Sequence, residues 1–175
     1  MTRILHNKHS RTRAFTFAEL VIVVMIIGLV ALIAMPAVSN SMTSSRLRTA
    51  ANVVAADVEF CLSECVARPN DPRVILFDVT NNKYSMVALN SSTVIAHPMD
   101  QQAYTNDFAT GRNSNYAGVK MVSAVCGNSN LTVLTFDPYG KPLLTNDLVI
   151  SLTYQMQAMN VKISATTGEV TIYTP

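Results

Sequence analysis

Hydrophobic and polar positions fall into three blocks along the 175 residues. Residues 1–14 are polar and basic, residues 20–38 carry no charged side chain, and from residue 74 short apolar runs alternate with turn residues. Nineteen residues in a helix span about 28 Å at roughly 1.5 Å each, close to the ~30 Å hydrocarbon core of a bilayer. Twelve of those nineteen are Val, Ile or Leu, and their summed insertion preference of about −5 kcal/mol outweighs Gly28 and Pro36. A membrane-spanning helix is therefore expected over 15–38, with residues 1–14 ahead of it. Pro36 removes one backbone hydrogen bond, so with Gly28 it marks the expected kink or local melting point.

The pattern changes after Val38. The polar run 39–45 is expected to loosen the helix. Leu47, Ala50 or Ala51, Val54, Val58, Cys61 or Leu62, and Cys65 then recur at i, i+3, i+4 and i+7, which predicts an amphipathic helix over 39–68. Pro69-Asn70-Asp71-Pro72 ends it. Beyond, strands are expected at 74–79, 84–89, 119–125, 131–136, 148–152, 161–165 and 170–173. Asn81-Asn82 and Asp137-Pro138-Tyr139-Gly140 are turn sequences, Thr166-Thr167-Gly168-Glu169 closes a hairpin, and the polar stretch 97–118 reads as a long loop. A long helix followed by antiparallel strands is an α+β architecture, with the C-terminal half of the helix on a small β domain over 74–175.

Charge sharpens the division. The formal net charge is +2, but Arg3, Lys8, Arg11 and Arg13 are four of the 13 cations. Without them nine cations face 11 acids, a side-chain charge of −2. By the positive-inside rule the basic leader stays cytoplasmic and the β domain lies outside. A mildly acidic product argues against nucleic acid as a partner. A plain signal peptide or signal anchor leaves Glu19 unexplained, since a carboxylate at the edge of an apolar run is costly in lipid.

Arg13-Ala14-Phe15-Thr16-Phe17-Ala18-Glu19 followed by the apolar run resembles the processing signal of type IV pilins and type II secretion pseudopilins. The resemblance implies cleavage between Ala14 and Phe15 by a prepilin peptidase and N-methylation of Phe15. It also implies pairing of Glu19 with the new amine of a neighbouring subunit, which sets filament register. Gly28 and Pro36 fall on matching positions of the family's helix. Ala14 stands where the family more often has Gly, and Ala18 where it has a larger aliphatic residue. Val74-Ile75-Leu76-Phe77-Asp78, Leu134-Thr135-Phe136-Asp137-Pro138-Tyr139-Gly140, and Val161-Lys162-Ile163-Ser164 leading to Thr167-Gly168-Glu169-Val170 resemble the soluble domain of the H-type pseudopilin and related minor pilins. The implied partners are the peptidase, the inner membrane and other pilin-like subunits of a secretion or pilus filament. The alternatives are a DNA-capturing minor pilin and a major pilin.

Catalytic and metal signatures are absent from the sequence. There is no G-x-S-x-G elbow, P-loop, H-E-x-x-H or dinucleotide fingerprint, and no cofactor or enzyme activity is expected. Beyond the leader only His97 remains, which disfavours a metal site even with Cys61 and Cys65 on one helix face. An extracytoplasmic domain permits a disulfide. A bond from Cys126 to Cys61 or Cys65 would staple strands to helix; buried free thiols are the alternative.

Overall fold

The computed structural model describes residues 15–110 and 114–175, with side chains for 15–32, 41–110 and 115–175. The expected leader, Ala14 included, lies outside the described residues. Helix α1, Phe17–Ala67, is 51 residues long. The chain divides after Asn40 into two compact units.

In the first unit the described helical side chains are exposed on every side, from Phe17 at 83 % to Leu32 at 72 %. A helix apolar all round has no face to give to water. Among the described residues no helix is long and apolar enough to cross a membrane; the apolar run expected over 20–38 extends into side chains outside that description. The backbone at Pro36 is helical, so local melting is not observed there.

The second unit, Ser41–Pro175, begins with the rest of α1. The polar run does not interrupt the helix, contrary to expectation. Ser44 and Thr49 turn their hydroxyls back onto the carbonyls of Ser41 and Ser45, at 3.0 and 2.9 Å, and so leave the backbone ladder intact. Leu47, Ala50, Ala51, Val54, Val58, Cys61 and Cys65 are all buried, which is the predicted stripe.

Two antiparallel sheets share that stripe as their core. The first has the order β3-β2-β1-β6, from β1 (Arg73–Asp78), β2 (Lys83–Ala88), β3 (Thr105–Asp107) and β6 (Val133–Thr135). The second has the order β5-β4-β7-β8-β9, from β4 (Lys120–Cys126), β5 (Ser129–Asn130), β7 (Leu148–Tyr154), β8 (Gln157–Ile163) and β9 (Val170–Tyr173). Leu148, Ile150 and Leu152 alternate inward along β7, the period-2 pattern of a half-buried strand. The same core contains Ile75, Phe77, Tyr84 and Met86 of the first sheet.

Three differences from the expected strands have local causes. Strand β8 starts at Gln157, because Gln155-Met156 is a two-residue turn that brings residues 157–160 into register with β7. The strand expected at 131–136 is only Val133–Thr135, with Ser129–Asn130 pairing separately with β4. The stretch 97–118 holds β3 and a 3-10 turn at Ser114–Tyr116, with Tyr104, Asn106, Phe108 and Tyr116 buried. The predicted turn at 137–140 forms: Asp137 Oδ1 accepts from the amides of Tyr139 and Lys141 at 2.9 and 2.8 Å, and Gly140 closes it at φ 84°.

Candidate assembly site

At the start of α1, Thr16 and Glu19 cap the helix reciprocally. The Thr16 amide and hydroxyl donate to Glu19 Oε2 at 3.2 and 3.3 Å, and the Glu19 amide donates to Thr16 Oγ1 at 3.2 Å. This is a capping box, which satisfies amides that the first turn leaves without helical partners. The T-x-x-E spacing ahead of an apolar run is the sequence signal for it. The carboxylate is also favourably placed against the positive end of the helix dipole. Phe15, Phe17 and Glu19 are exposed together at this end, and Gly28 has no neighbouring atom within 4 Å of where a Cβ would stand.

In the second unit, a polar network not anticipated from sequence joins the helix to the first sheet. Asp57 sits on the buried stripe, three residues after Val54 and four before Cys61. Tyr84 donates its hydroxyl to Asp57 Oδ2 at 2.5 Å, and Tyr104 to Oδ1 at 2.9 Å. Asn106 Nδ2 donates to Tyr84 Oη at 2.9 Å, and Tyr116 donates to Asn106 Oδ1 at 3.0 Å. Phe60 and His97 flank the Tyr104 ring, with centroids at 5.7 and 4.6 Å. Burial raises the Asp57 pKa above the usual carboxylate value, while the bonds from Tyr84, Tyr104 and Asn106 pull the other way. Deprived of water, the carboxylate is held chiefly by phenol and amide donors, with a smaller electrostatic pull from His97.

One turn or two further along α1, Cys61 and Cys65 both donate their thiols to the Arg73 carbonyl, at 3.4 and 3.0 Å. The Cys65 sulfur and burial push the Cys61 pKa well up, so Cys61 stays a thiol. The Arg73 guanidinium meets Asp71 at 2.7 Å and Glu64 at 3.8 Å, which fixes the entry of β1 beside the helix end. Cys126 is elsewhere: its thiol donates to the Asn146 carbonyl at 3.1 Å and lies 3.8 Å from Thr145 Oγ1. All three cysteines are free. Of the two alternatives the sequence leaves, the structure has the free thiols: the helical pair turns to β1 while Cys126 turns to the loop before β7.

The sheets are tied to each other through Asn82, in the β1–β2 turn at φ 55°. Its Nδ2 donates to the Val119 carbonyl at 2.9 Å and its Oδ1 accepts the Met121 amide at 2.6 Å. The β7–β8 hairpin is tied to α1 in the same manner. Thr43 donates to Gln155 Oε1 at 2.8 Å, and Arg46 lies 5.6 Å over the Tyr154 ring and donates to the Ala117 carbonyl at 3.4 Å. Among the described residues no cluster of His, Cys, Asp and Glu has the arrangement of a metal site.

A helix whose second half fills the groove of two antiparallel sheets is a pilin-like α+β fold. The type IV minor pilin FimU of Pseudomonas aeruginosa matches it with a TM-score of 0.51 at 18 % identity, over 73 % of this chain and 87 % of that one. The minor pseudopilin EpsH from the type 2 secretion system of Vibrio cholerae aligns with a TM-score of 0.48 at 12 % identity, over 74 % and 98 % of the two chains. No protein-family model and no curated protein sequence matches the chain.

Proposed function

We propose that this chain is a structural subunit, a minor pilin or pseudopilin, of an envelope-spanning type IV pilus or type II secretion filament. Its leader, residues 1–14, is removed by a prepilin peptidase between Ala14 and Phe15, and Phe15 is N-methylated. The apolar first part of α1 anchors the protein in the inner membrane before assembly, with the domain from Ser41 on the extracytoplasmic side. The observation that carries this reading is a single carboxylate, Glu19, in the first turn of an apolar helix, on a chain of which 73 % matches the fold of FimU. Cleavage creates an ammonium on Phe15, and a subunit moving from lipid into a filament buries both charges, which favours their pairing across neighbours. In the intact chain the capping box with Thr16 holds the Glu19 carboxylate at the helix start until such a partner arrives.

The test is incorporation. Glu19→Ala is expected to remain in the membrane fraction and to be lost from sheared or cross-linked filaments. Normal incorporation of that variant would remove Glu19 from the proposed role.

A further inference from the structure

The β7–β8 hairpin ends in Met156, 103 % exposed at the tip of a two-residue turn. Ordinary hairpin tips carry Asn, Gly or Asp, and Gln155 adopts φ 54° to make this one. The tip is not left loose. Thr43 bonds Gln155, and Arg46 holds both the Tyr154 ring and the Ala117 carbonyl. These contacts bind the hairpin to the first turns of α1 in this unit, where Met42 is also exposed. Lys120 pairs with Thr153 in register, just before the tip, and is exposed. Segments 41–52, 114–120 and 153–158 together contain Arg46, Arg48 and Lys120 and no Asp or Glu. The acids of the domain lie in other segments. In sequence, Thr43 follows the end of the apolar run at Val38 by five residues.

We infer that this end of the domain is a lipid-contact surface: Met156 inserts among headgroups while Arg46, Arg48 and Lys120 meet the phosphates of an anionic bilayer. The inference rests on the membrane reading above. An apolar tip flanked by cations is the composition of an interfacial anchor, and anionic lipid is the complement of three cations without an acid. The contact would hold the domain down on the bilayer before assembly and release it when the subunit is extracted.

The chain has no tryptophan, so Met156→Trp, Tyr139→Trp and Val30→Trp each place a single fluorophore in the full chain. Each variant is reconstituted in bilayers of phosphatidylglycerol and phosphatidylethanolamine, with acyl chains brominated near the headgroup for positions 139 and 156 and near the bilayer centre for position 30. Trp at 30 and at 156 are expected to lose emission, and Trp at 139, 93 % exposed on the turn after β6, to keep it. Adding Arg48→Gln or Lys120→Gln to Met156→Trp should weaken docking roughly fivefold per charge removed, at about 1 kcal/mol for each surface cation. Quenching at 30 without quenching at 156 overturns the inference and leaves the membrane reading standing. No quenching at 30 overturns both. Equal quenching at 139 and 156, or quenching at 156 unchanged in phosphatidylcholine, also overturns it, because the contact would then be neither localised nor charge-selected.

Discussion

Replacing Asp57 by Ala probes the junction between helix and sheet directly. The substitution removes the acceptor for two buried phenol donors, Tyr84 at 2.5 Å and Tyr104 at 2.9 Å. Each buried donor left without a partner costs about 1–3 kcal/mol, so the gross loss is roughly 2–6 kcal/mol. Part is returned, because a carboxylate held up in pKa by burial no longer has to be desolvated. The net destabilisation expected is about 2–4 kcal/mol. For a unit of this size that lowers Tm by roughly 6–15 °C, read by circular dichroism on the full chain in detergent. Asp57→Asn keeps one acceptor and sets an amide donor opposite the other phenol, so it is expected to cost about 1–3 kcal/mol, less than Asp57→Ala. In a Tyr84→Phe, Tyr104→Phe background, Asp57→Ala should lose most of its cost, since the donors are gone as well.

The pH dependence follows with a definite sign. Folded Asp57 holds its proton more tightly than the unfolded carboxyl at 3.8. Its stabilisation is therefore complete below 3.8 and fades as pH rises through the raised folded value. Half-exposed Asp78 and Asp147 are lowered, chiefly by bonds from Asn81 and Lys162, and act in the opposite direction. The difference between native chain and Asp57→Asn isolates the Asp57 contribution. A chain indifferent to Asp57→Ala, or an unchanged cost in the double-phenylalanine background, would refute the network as the fastening of helix to sheet.

Other substitutions test neighbouring joints. Gly140→Ala places a Cβ 3.3 Å from Leu62 Cδ2 and 3.4 Å from Val66 Cγ2 at φ 84°, and is expected to cost about 1–2 kcal/mol in urea unfolding. Asn82→Ala removes both bonds that tie the β1–β2 turn to Val119 and Met121, for a loss of about 1–3 kcal/mol that Asn82→Gly will not rescue. Thiol labelling of the native chain should modify Cys126 and spare buried Cys61 and Cys65 until denaturant is added. A mass unchanged by reductant is the accompanying expectation, and a gain of two hydrogen atoms on reduction would restore the disulfide.

What could be read from sequence were the features written in local pattern. The stripe from Leu47 to Cys65 and the inward alternation of β7 depend only on spacing, and the turn at 137–140 on its own Asp and Gly. Asp57 was invisible for the opposite reason. It breaks the apolar stripe, and only the fold supplies the tyrosines that make its burial tolerable. The stretch 97–118 misled in the same way: Tyr104, Asn106 and Tyr116 look like loop residues until Asp57 and Tyr84 are set beside them. Cys126 lies at the end of β4, and no spacing rule says that its thiol turns toward Asn146 instead of the helix. At the start of α1, the sequence singled out Glu19, yet its bonds to Thr16 belong to a second pattern, the capping box, superimposed on the same residues.

The most direct test of the filament reading is the intact mass and N-terminal fragment series of the chain isolated from its own cells. A product that begins at Phe15 and carries one added methyl group on its amine is the predicted result. A product that begins at Met1, with the basic leader retained, would contradict it.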